Sequence, residues 1–195
     1  FSQEPFLRAQ VGVKELYRSC ASMFTCGTPY GSAKGSEIMS KSNLKKAREL
    51  LKASGYDGTP VVLMKPTDLA AIGKLPDVAA QLLRQAGFKV DLQAMDWNTL
   101  VGRRAKKDPP QQGGWNMFFT AWVAPDIWNP ITNPAIGAQG EKSWFGWPSD
   151  PAIEKLRDEF ARATDETKKK ALAEQIQARA FEVATHAPLG EYANP

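Results

Sequence analysis

The sequence predicts an α/β fold of three layers around a mixed central sheet. Residues 60–64 (PVVLM) form a short, continuously apolar run, which is typical of a strand buried on both faces. A helical pattern follows, and residues 88–95 then alternate apolar and polar side chains with the period of an ordinary strand. Strand, helix and strand in this order form a βαβ unit, which we expect to be right-handed.

The composition is that of a globular protein. The chain has 195 residues, of which 43% are hydrophobic and 24% charged, so a disordered chain is not expected. No apolar run approaches the roughly 20 residues that a membrane-spanning helix needs. The net charge is +4, but Lys and Arg are dense only at residues 103–107 and 168–170, which are predicted helix ends. We therefore expect no nucleic-acid binding.

The first 40 residues divide into a helix and a loop. Residues 6–17 have a loose helical pattern, and residues 26–42 are rich in Gly, Ser, Thr and Pro, which predicts a surface loop. Cys20 and Cys26 are either two reduced thiols or a disulfide, and the residues alone leave these alternatives about even. Two thiols with no histidine nearby do not complete a zinc site.

Two helices flank the first predicted strand. Asn43 is a plausible N-cap for a helix over residues 44–53. After the strand, Thr67 and Asp68 are expected to cap a helix that Pro76 interrupts or restarts before residues 77–86. Glycines that end these helices follow at Gly55 and Gly87.

The rest of the chain combines one more strand with helices and a long irregular stretch. Asp96 caps a short helix, and residues 115–122 (WNMFFTAW) predict a third strand that is apolar on both faces and therefore central. Residues 123–148 are irregular because they are rich in proline and glycine. Two helices and a final strand follow, and we expect them to begin at Asp150, at Thr164 or Asp165, and at Leu189.

No group of residues fits a catalytic site. The one histidine, His186, lies near a predicted helix end, where a surface or capping role is the usual one. The chain has no nucleophile elbow, no phosphate-binding loop and no helical pair of zinc-binding histidines. We therefore predict that it is not an enzyme and that it needs no cofactor and no metal.

A candidate ligand site lies where the predicted third strand runs into the loop, at residues 120–130, because α/β sheets bind ligands at such strand ends. The tryptophans of this region offer flat apolar walls, and an aspartate among them is suited to an ammonium group. The predicted ligand-binding residues are Trp122, Asp126, Trp128 and Asn129, with Trp144 as a further aromatic wall. The alternative, that these tryptophans fill the core beneath the loop, is nearly as favourable.

Five segments resemble a known family in their order and spacing. They are NLKKARELLKASGYDG at 43–58, PVVLM at 60–64, AAQLLRQAGFKVDLQAMDW at 79–97, GGWNMFFTAW at 113–122, and the helical stretch at 150–192. Over residues 40–192 the chain resembles the C-terminal lobe, domain III, of the family 5 extracellular solute-binding proteins. These proteins are the dipeptide- and oligopeptide-binding components of ABC importers.

The resemblance implies a type II periplasmic-binding-protein-like lobe. Residues 1–40 would form an N-terminal helix and a cysteine-containing loop within it, and residues 41–195 a single α/β ligand-binding domain. The implied function is to capture a small solute, foremost a dipeptide or oligopeptide, between two lobes and to deliver it to an ABC permease of the inner membrane. The implied protein is a periplasmic monomer without catalysis, or is secreted or lipid-anchored in a Gram-positive cell. This context also favours the disulfide.

In peptide binders of this family, an aspartate three residues after the third-strand tryptophan pairs with the peptide's amino group. That tryptophan matches Trp122, but Pro125 holds the third position and the aspartate follows at Asp126. We expect Asp126 to act after a one-residue shift. Two other functions remain open here, a protein-interaction module that docks through its aromatic loop, and a lobe of a hydrolase.

Overall fold

The computed structural model describes residues 2–40 and 43–193. Contacts group them into two compact units. The first unit comprises residues 2–18, 43–121 and 192–193, and the second comprises residues 19–40 and 122–191. The expected division into residues 1–40 and a single domain of residues 41–195 stays a prediction.

The described elements are numbered in chain order. The helices are α1 (Glu4–Gln10), α2 (Glu37–Ser40), α3 (Leu44–Ala53), α4 (Leu75–Ala86), α5 (Trp97–Arg104), α6 (Pro151–Arg162) and α7 (Glu166–Val183). The strands are β1 (Tyr17–Arg18), β2 (Val61–Pro66), β3 (Val90–Met95) and β4 (Glu191–Tyr192). None of the helices in the described ranges is both long enough and apolar enough to cross a membrane.

The predicted βαβ unit is present in the first unit. Strands β2 and β3 pair in parallel, in a register that runs from Val61 opposite Val90 to Pro66 opposite Met95. Helix α4 connects them and packs against both strands. Val62, Leu63 and Met64 are buried, as expected for a strand with apolar residues on both faces.

Capping explains where the helices of the first unit begin and end. The Asn43 side chain accepts a hydrogen bond from Lys46 N at 2.8 Å and so caps α3 as predicted. Helix α4 begins at Leu75 with Pro76 in its first turn, and it ends at Gly87, whose φ of 108° is left-handed. The expected helix cap at Thr67 and Asp68 is wrong, because residues 67–74 form turns rather than a helix.

The third strand is much shorter than predicted. Of residues 115–122, Met117 alone forms a bridge in the described part of the chain, in parallel with Leu63. The Met64 N–H donates to the Met117 carbonyl at 2.9 Å. Every second residue of a parallel strand donates towards the same neighbour, so the next donor on this side would be Pro66. Proline has no N–H, and the ladder therefore stops after one bridge.

The N-terminal segment also departs from the prediction. Helix α1 ends at Gln10 instead of continuing to residue 17, because Gly12 takes a φ of 81°. A 3₁₀ turn at Lys14–Leu16 and strand β1 follow. Strands β1 and β4 form a second two-stranded sheet, and β4 begins at Glu191 rather than Leu189.

The second unit is built on the helix pair α6 and α7. Asp150 caps α6 through Ile153 N, and Asp165 caps α7 through Lys168 N. The buried side chains of the pair include Ile153, Phe160, Leu172, Ile176 and Ala180. Val183 at the end of α7 is exposed, whereas Phe181 is buried.

The loop predicted over residues 26–42 contains the short helix α2. Ser36 and Met39 are buried, so this stretch is not wholly on the surface. Residues 41 and 42 lie outside the described residues.

Candidate functional site

The two cysteines form a disulfide in the second unit. This excludes the alternative of reduced thiols. A carboxylate oxygen of Glu191 lies within 4.8 Å of both sulfurs. The three side chains are therefore spaced like the ligands of a metal ion. The sulfurs bond each other and are not thiolates, so this cluster does not offer the ligands that a zinc ion needs.

The candidate ligand residues lie on one loop of the second unit, which we call the tryptophan loop (residues 122–133). Its centre is a 3₁₀ turn at Ala124–Ile127, in which Asp126 N donates to Val123 O at 3.0 Å. Val123 precedes the turn in an extended conformation, and Pro125 is the second residue of the turn. Proline presets the backbone φ that such a turn requires.

Trp122 packs against a second tryptophan at the start of the loop. Its ring lies 5.1 Å from that of Trp144, with the planes inclined at 60°. Trp144 in turn lies 5.4 Å from the ring of Phe145. All three side chains are half-buried, so none of them belongs to the fully buried core.

Asp126 and Trp128 are exposed on the same loop. The Asp126 carboxylate makes no hydrogen bond or ion pair with any residue in the described ranges. Trp128 is 40% exposed, which is unusual for a residue with a large apolar ring. Both groups are therefore available to a partner.

Asn129 is already engaged within the loop. Its Oδ1 accepts hydrogen bonds from Ile131 N at 2.8 Å and from Thr132 N at 3.1 Å. This is an Asx turn, in which the side chain replaces a backbone acceptor. Only the amide NH₂ of Asn129 is left to donate to a ligand.

Contacts that sequence reasoning missed hold the two sides of the tryptophan loop. Thr25 Oγ1 donates to Ala124 O at 2.9 Å, and the buried Asn133 Nδ2 donates to Met23 O at 2.8 Å. Arg157 Nε donates to Pro130 O at 3.0 Å. Local sequence patterns could not predict these contacts, because the partners are far apart in sequence. Thr25 and Ala124, for example, are separated by 99 residues.

His186 does not fit a catalytic base. Burial lowers the pKa of His186 to about 4, so the imidazole is neutral near pH 7. Its Nδ1 lies 3.1 Å from the Thr185 hydroxyl. This neighbour is adjacent in the chain, and no carboxylate pairs with the imidazole among the described residues.

The first unit has an open depression of about 650 Å³ beside the start of α4. Its polar lining is largely committed, because Gln10 bonds both Ala70 O and Lys74 N, and Lys65 pairs with Asp77 at 2.7 Å. The depression thus offers a ligand fewer free groups than the tryptophan loop does.

Comparison with known proteins places the chain in a family. Residues 13–143 match the family described as bacterial extracellular solute-binding proteins, family 5 Middle. A probable peptide ABC transporter periplasmic-binding protein, y4tO, from Sinorhizobium fredii is 32% identical over 191 residues. That match covers 97% of this chain but only 36% of the relative, so the chain spans little more than a third of the relative's length.

Solved structures share the fold at low sequence identity. CtaP from Listeria monocytogenes, an ABC transporter substrate-binding protein, superposes with a TM-score of 0.83 at 16% identity, over 98% of this chain and 38% of that one. The Escherichia coli murein tripeptide binding protein MppA gives 0.78 at 18% identity, over 98% and 37%. DppA from Helicobacter pylori in complex with the peptide STSA gives 0.71 at 18%, over 97% and 36%.

These matches confirm the predicted fold class, an α/β lobe like those of periplasmic binding proteins. The matched family covers most of the chain, and the relative at 32% identity covers nearly all of it. The chain belongs to the bacterial extracellular solute-binding proteins of family 5.

Proposed function

We propose that this chain forms part of the substrate-binding component of an ABC importer and that its ligand is a dipeptide or oligopeptide. Support comes from the family and from the relative named as a probable peptide ABC transporter periplasmic-binding protein. The whole protein acts outside the cytoplasmic membrane as a monomer, hands its ligand to a membrane permease, does not bind nucleic acid and does not catalyse a reaction.

In this proposal the tryptophan loop contacts the ligand. The paired rings of Trp122 and Trp144 and the exposed ring of Trp128 form apolar walls for peptide side chains. Asp126 pairs with the terminal ammonium group, and the amide of Asn129 donates to a carbonyl. Closure of the whole protein around the ligand would remove water from these groups and strengthen the pairing of Asp126 with the ammonium group.

The observation that carries this proposal is the free carboxylate of Asp126. An exposed acidic group without a partner, on a loop that also presents an exposed tryptophan, is suited to a cationic and partly apolar ligand. A carboxylate that served only the fold would be expected to cap a helix or bond the backbone, as Asp150 and Asp165 do.

The experiment is a calorimetric titration of the intact protein with a pool of dipeptides and tripeptides, and with the same pool N-acetylated. Asp126→Asn should weaken binding of the free peptides by about 2 kcal/mol or more, because the ammonium group loses its charged partner at a buried site. Acetylation should weaken binding to the wild-type protein by a similar amount and should add little to the loss in the variant.

The matched control is Asp108→Asn, since Asp108 is also exposed but lies in the first unit. It should leave affinity unchanged. If the wild-type protein and Asp126→Asn bind free peptides with equal affinity, Asp126 does not contact the ammonium group. If neither pool binds to the wild-type protein, the ligand is not a peptide.

One observation favours the alternative of a protein-docking surface. Val123 and Ile131 of the tryptophan loop are exposed, together with Trp128. Exposed apolar groups that lie together mark protein interfaces as well as ligand sites. Sedimentation of the protein alone separates the two functions, because a docking surface predicts concentration-dependent self-association, whereas a peptide site predicts a monomer whose tryptophan fluorescence responds to peptides.

A further inference from the structure

The disulfide encloses a short segment that contacts both sides of the tryptophan loop. We call the segment from Cys20 to Cys26 the cysteine loop. Its Thr25 hydroxyl donates to Ala124 O at 2.9 Å, at the first residue of the turn that carries Asp126. Its Met23 carbonyl accepts from Asn133 Nδ2 at 2.8 Å, at the other end of the tryptophan loop.

Other contacts fix the cysteine loop itself. Ser22 Oγ and Met23 N both donate to Gln177 Oε1 of α7, at 2.9 and 3.0 Å. Cys26 N donates to Glu191 Oε1 at 2.8 Å. The disulfide joins the two ends of the segment that carries these attachments, so its backbone has little freedom to move.

The position of Thr25 is held especially closely. The backbone of Gly31 packs against the Thr25 carbonyl so closely that a Cβ on that glycine would clash with the oxygen. Thr28 Oγ1 donates to the same carbonyl at 2.6 Å. The Thr25 side chain is buried, so its hydroxyl bond to Ala124 O is shielded from competing water.

We propose that Thr25 is a positioning residue for ligand binding: its hydroxyl sets the orientation of the Ala124–Ile127 turn, and the Cys20–Cys26 disulfide keeps that hydroxyl in place. This inference rests on the proposed function, in which the turn presents Asp126 to the ligand. The tryptophan loop has no strand or long helix of its own in the described chain, so its conformation depends on these contacts. Loss of the hydroxyl lets the turn shift while the helix pair α6 and α7 is retained.

The test compares Thr25→Val with Thr25→Ser in the ¹⁵N-labelled chain. Val has the shape of Thr but no hydroxyl, and Ser keeps the hydroxyl. In Thr25→Val we expect shifts larger than the linewidth for the Asp126 amide and the Trp128 indole N–H, and we expect Thr25→Ser to restore both. The indole signals of Trp97 and Trp115, in the first unit, should not move.

Two further variants complete the design. The double variant Cys20→Ser/Cys26→Ser, which keeps every hydrogen bond donor of the loop backbone, should move the same signals as Thr25→Val. Thr99→Val removes a hydroxyl contact in the first unit, from Thr99 of α5 to Oδ2 of the N-cap residue Asp96 at 2.6 Å, and should leave the Asp126 and Trp128 signals in place.

The readouts separate this inference from the proposed function. Unchanged Asp126 and Trp128 signals in both Thr25→Val and the double cysteine variant would overturn the positioning role, whatever the protein binds. If the signals shift as expected, the peptide pool should bind Thr25→Val about tenfold more weakly than Thr25→Ser, the loss typical of one hydrogen bond. Shifted signals in a protein whose wild type binds no peptide would support the positioning and contradict the proposed function.

Discussion

The two units satisfy their polar backbone groups by different means. In the first unit, β2 and β3 exchange hydrogen bonds in a regular ladder, and α3 to α5 add their own repeating bonds. In the second unit, α6 and α7 are regular, but most of residues 122–149 lie outside helices and strands. There, side chains supply part of the bonding that the ladder supplies in the first unit, as when Thr25 Oγ1 donates to Ala124 O and Arg157 Nε donates to Pro130 O.

Gln177 shows how this replacement works. Its Oε1 accepts from Ser22 Oγ and Met23 N, and its Nε2 donates to Ser32 O and Oγ and to Lys34 O. One fully buried amide thus satisfies the backbone of an irregular segment at several points. The comparison teaches that an irregular region becomes stable when a few buried polar groups take the role of many equivalent backbone bonds, and each such group then matters more.

The largest effect is expected at Gln177. Gln177→Leu keeps the side chain's size but leaves several buried donors and acceptors without partners, so it should lower the free energy of unfolding by about 4 kcal/mol. Urea denaturation measures this loss. Gln175→Leu, at an exposed position of the same helix, is the control and should change stability by less than about 0.5 kcal/mol.

Leu63→Ala probes the first unit. Leu63 is fully buried in β2, and the cavity left by the missing methyl groups should lower the unfolding free energy by about 3 kcal/mol. Leu50→Ala, on the exposed side of α3, should have almost no effect. A larger loss for Leu63→Ala than for Gln177→Leu in the same urea series would break the comparison, because apolar packing would then outweigh the buried amide.

Removal of the disulfide should have a smaller effect. The sulfurs join residues only 6 apart, and closure of so short a loop restricts the unfolded chain by about 2 kcal/mol. Cys20→Ser/Cys26→Ser should therefore unfold at a lower temperature than the wild type in calorimetry. Wild-type protein unfolded in the presence of a reductant should match the variant, and a difference between them would indicate that the serines themselves disturb the loop.

The smallest effect is expected at Asp150 and depends on pH. Two hydrogen bonds from Arg179, at 3.0 and 2.8 Å, lower the pKa of the Asp150 carboxyl below its ordinary value. Because the folded pKa is depressed, this contribution is complete above the unfolded pKa of about 3.9 and is lost as pH falls through the folded pKa.

Asp150→Asn keeps the helix cap and removes the charge. It should cost about 1 kcal/mol at pH 7, because the partner Arg179 is partly exposed. The difference from wild type, measured by urea denaturation at several pH values, should shrink towards zero in strong acid. A difference that stays constant down to pH about 2 would assign the effect to packing.

Local sequence signals predicted most of the first unit. The N-cap at Asn43, the left-handed glycines at Gly55 and Gly87, and the parallel pairing of β2 with β3 all follow from short patterns. The third strand was wrong in length because its pairing depends on its neighbour. Val62 N donates to the side chain of Asn116 at 2.8 Å, and Pro66 lacks an N–H altogether.

The candidate site was predictable only in part. An aspartate among tryptophans at a strand end is visible in the sequence, and the structure leaves Asp126 and Trp128 exposed. The engagement of Asn129 by its own loop, and the support from Thr25 and Asn133, depend on the folded path of residues far apart in sequence. Whether these residues bind the ligand stays a prediction.

The path of the chain has a consequence for biosynthesis. The first unit is assembled from three separate segments, and its last hydrogen bonds join Ala193 N to Leu16 O and Tyr192 Oη to Ala71 O. Since a chain is synthesised from its N-terminus, β1 can pair with β4 only after the whole of the second unit has been synthesised. Such distant pairing forms late, so the N-terminal segment completes its hydrogen bonds only after the residues of the second unit are available.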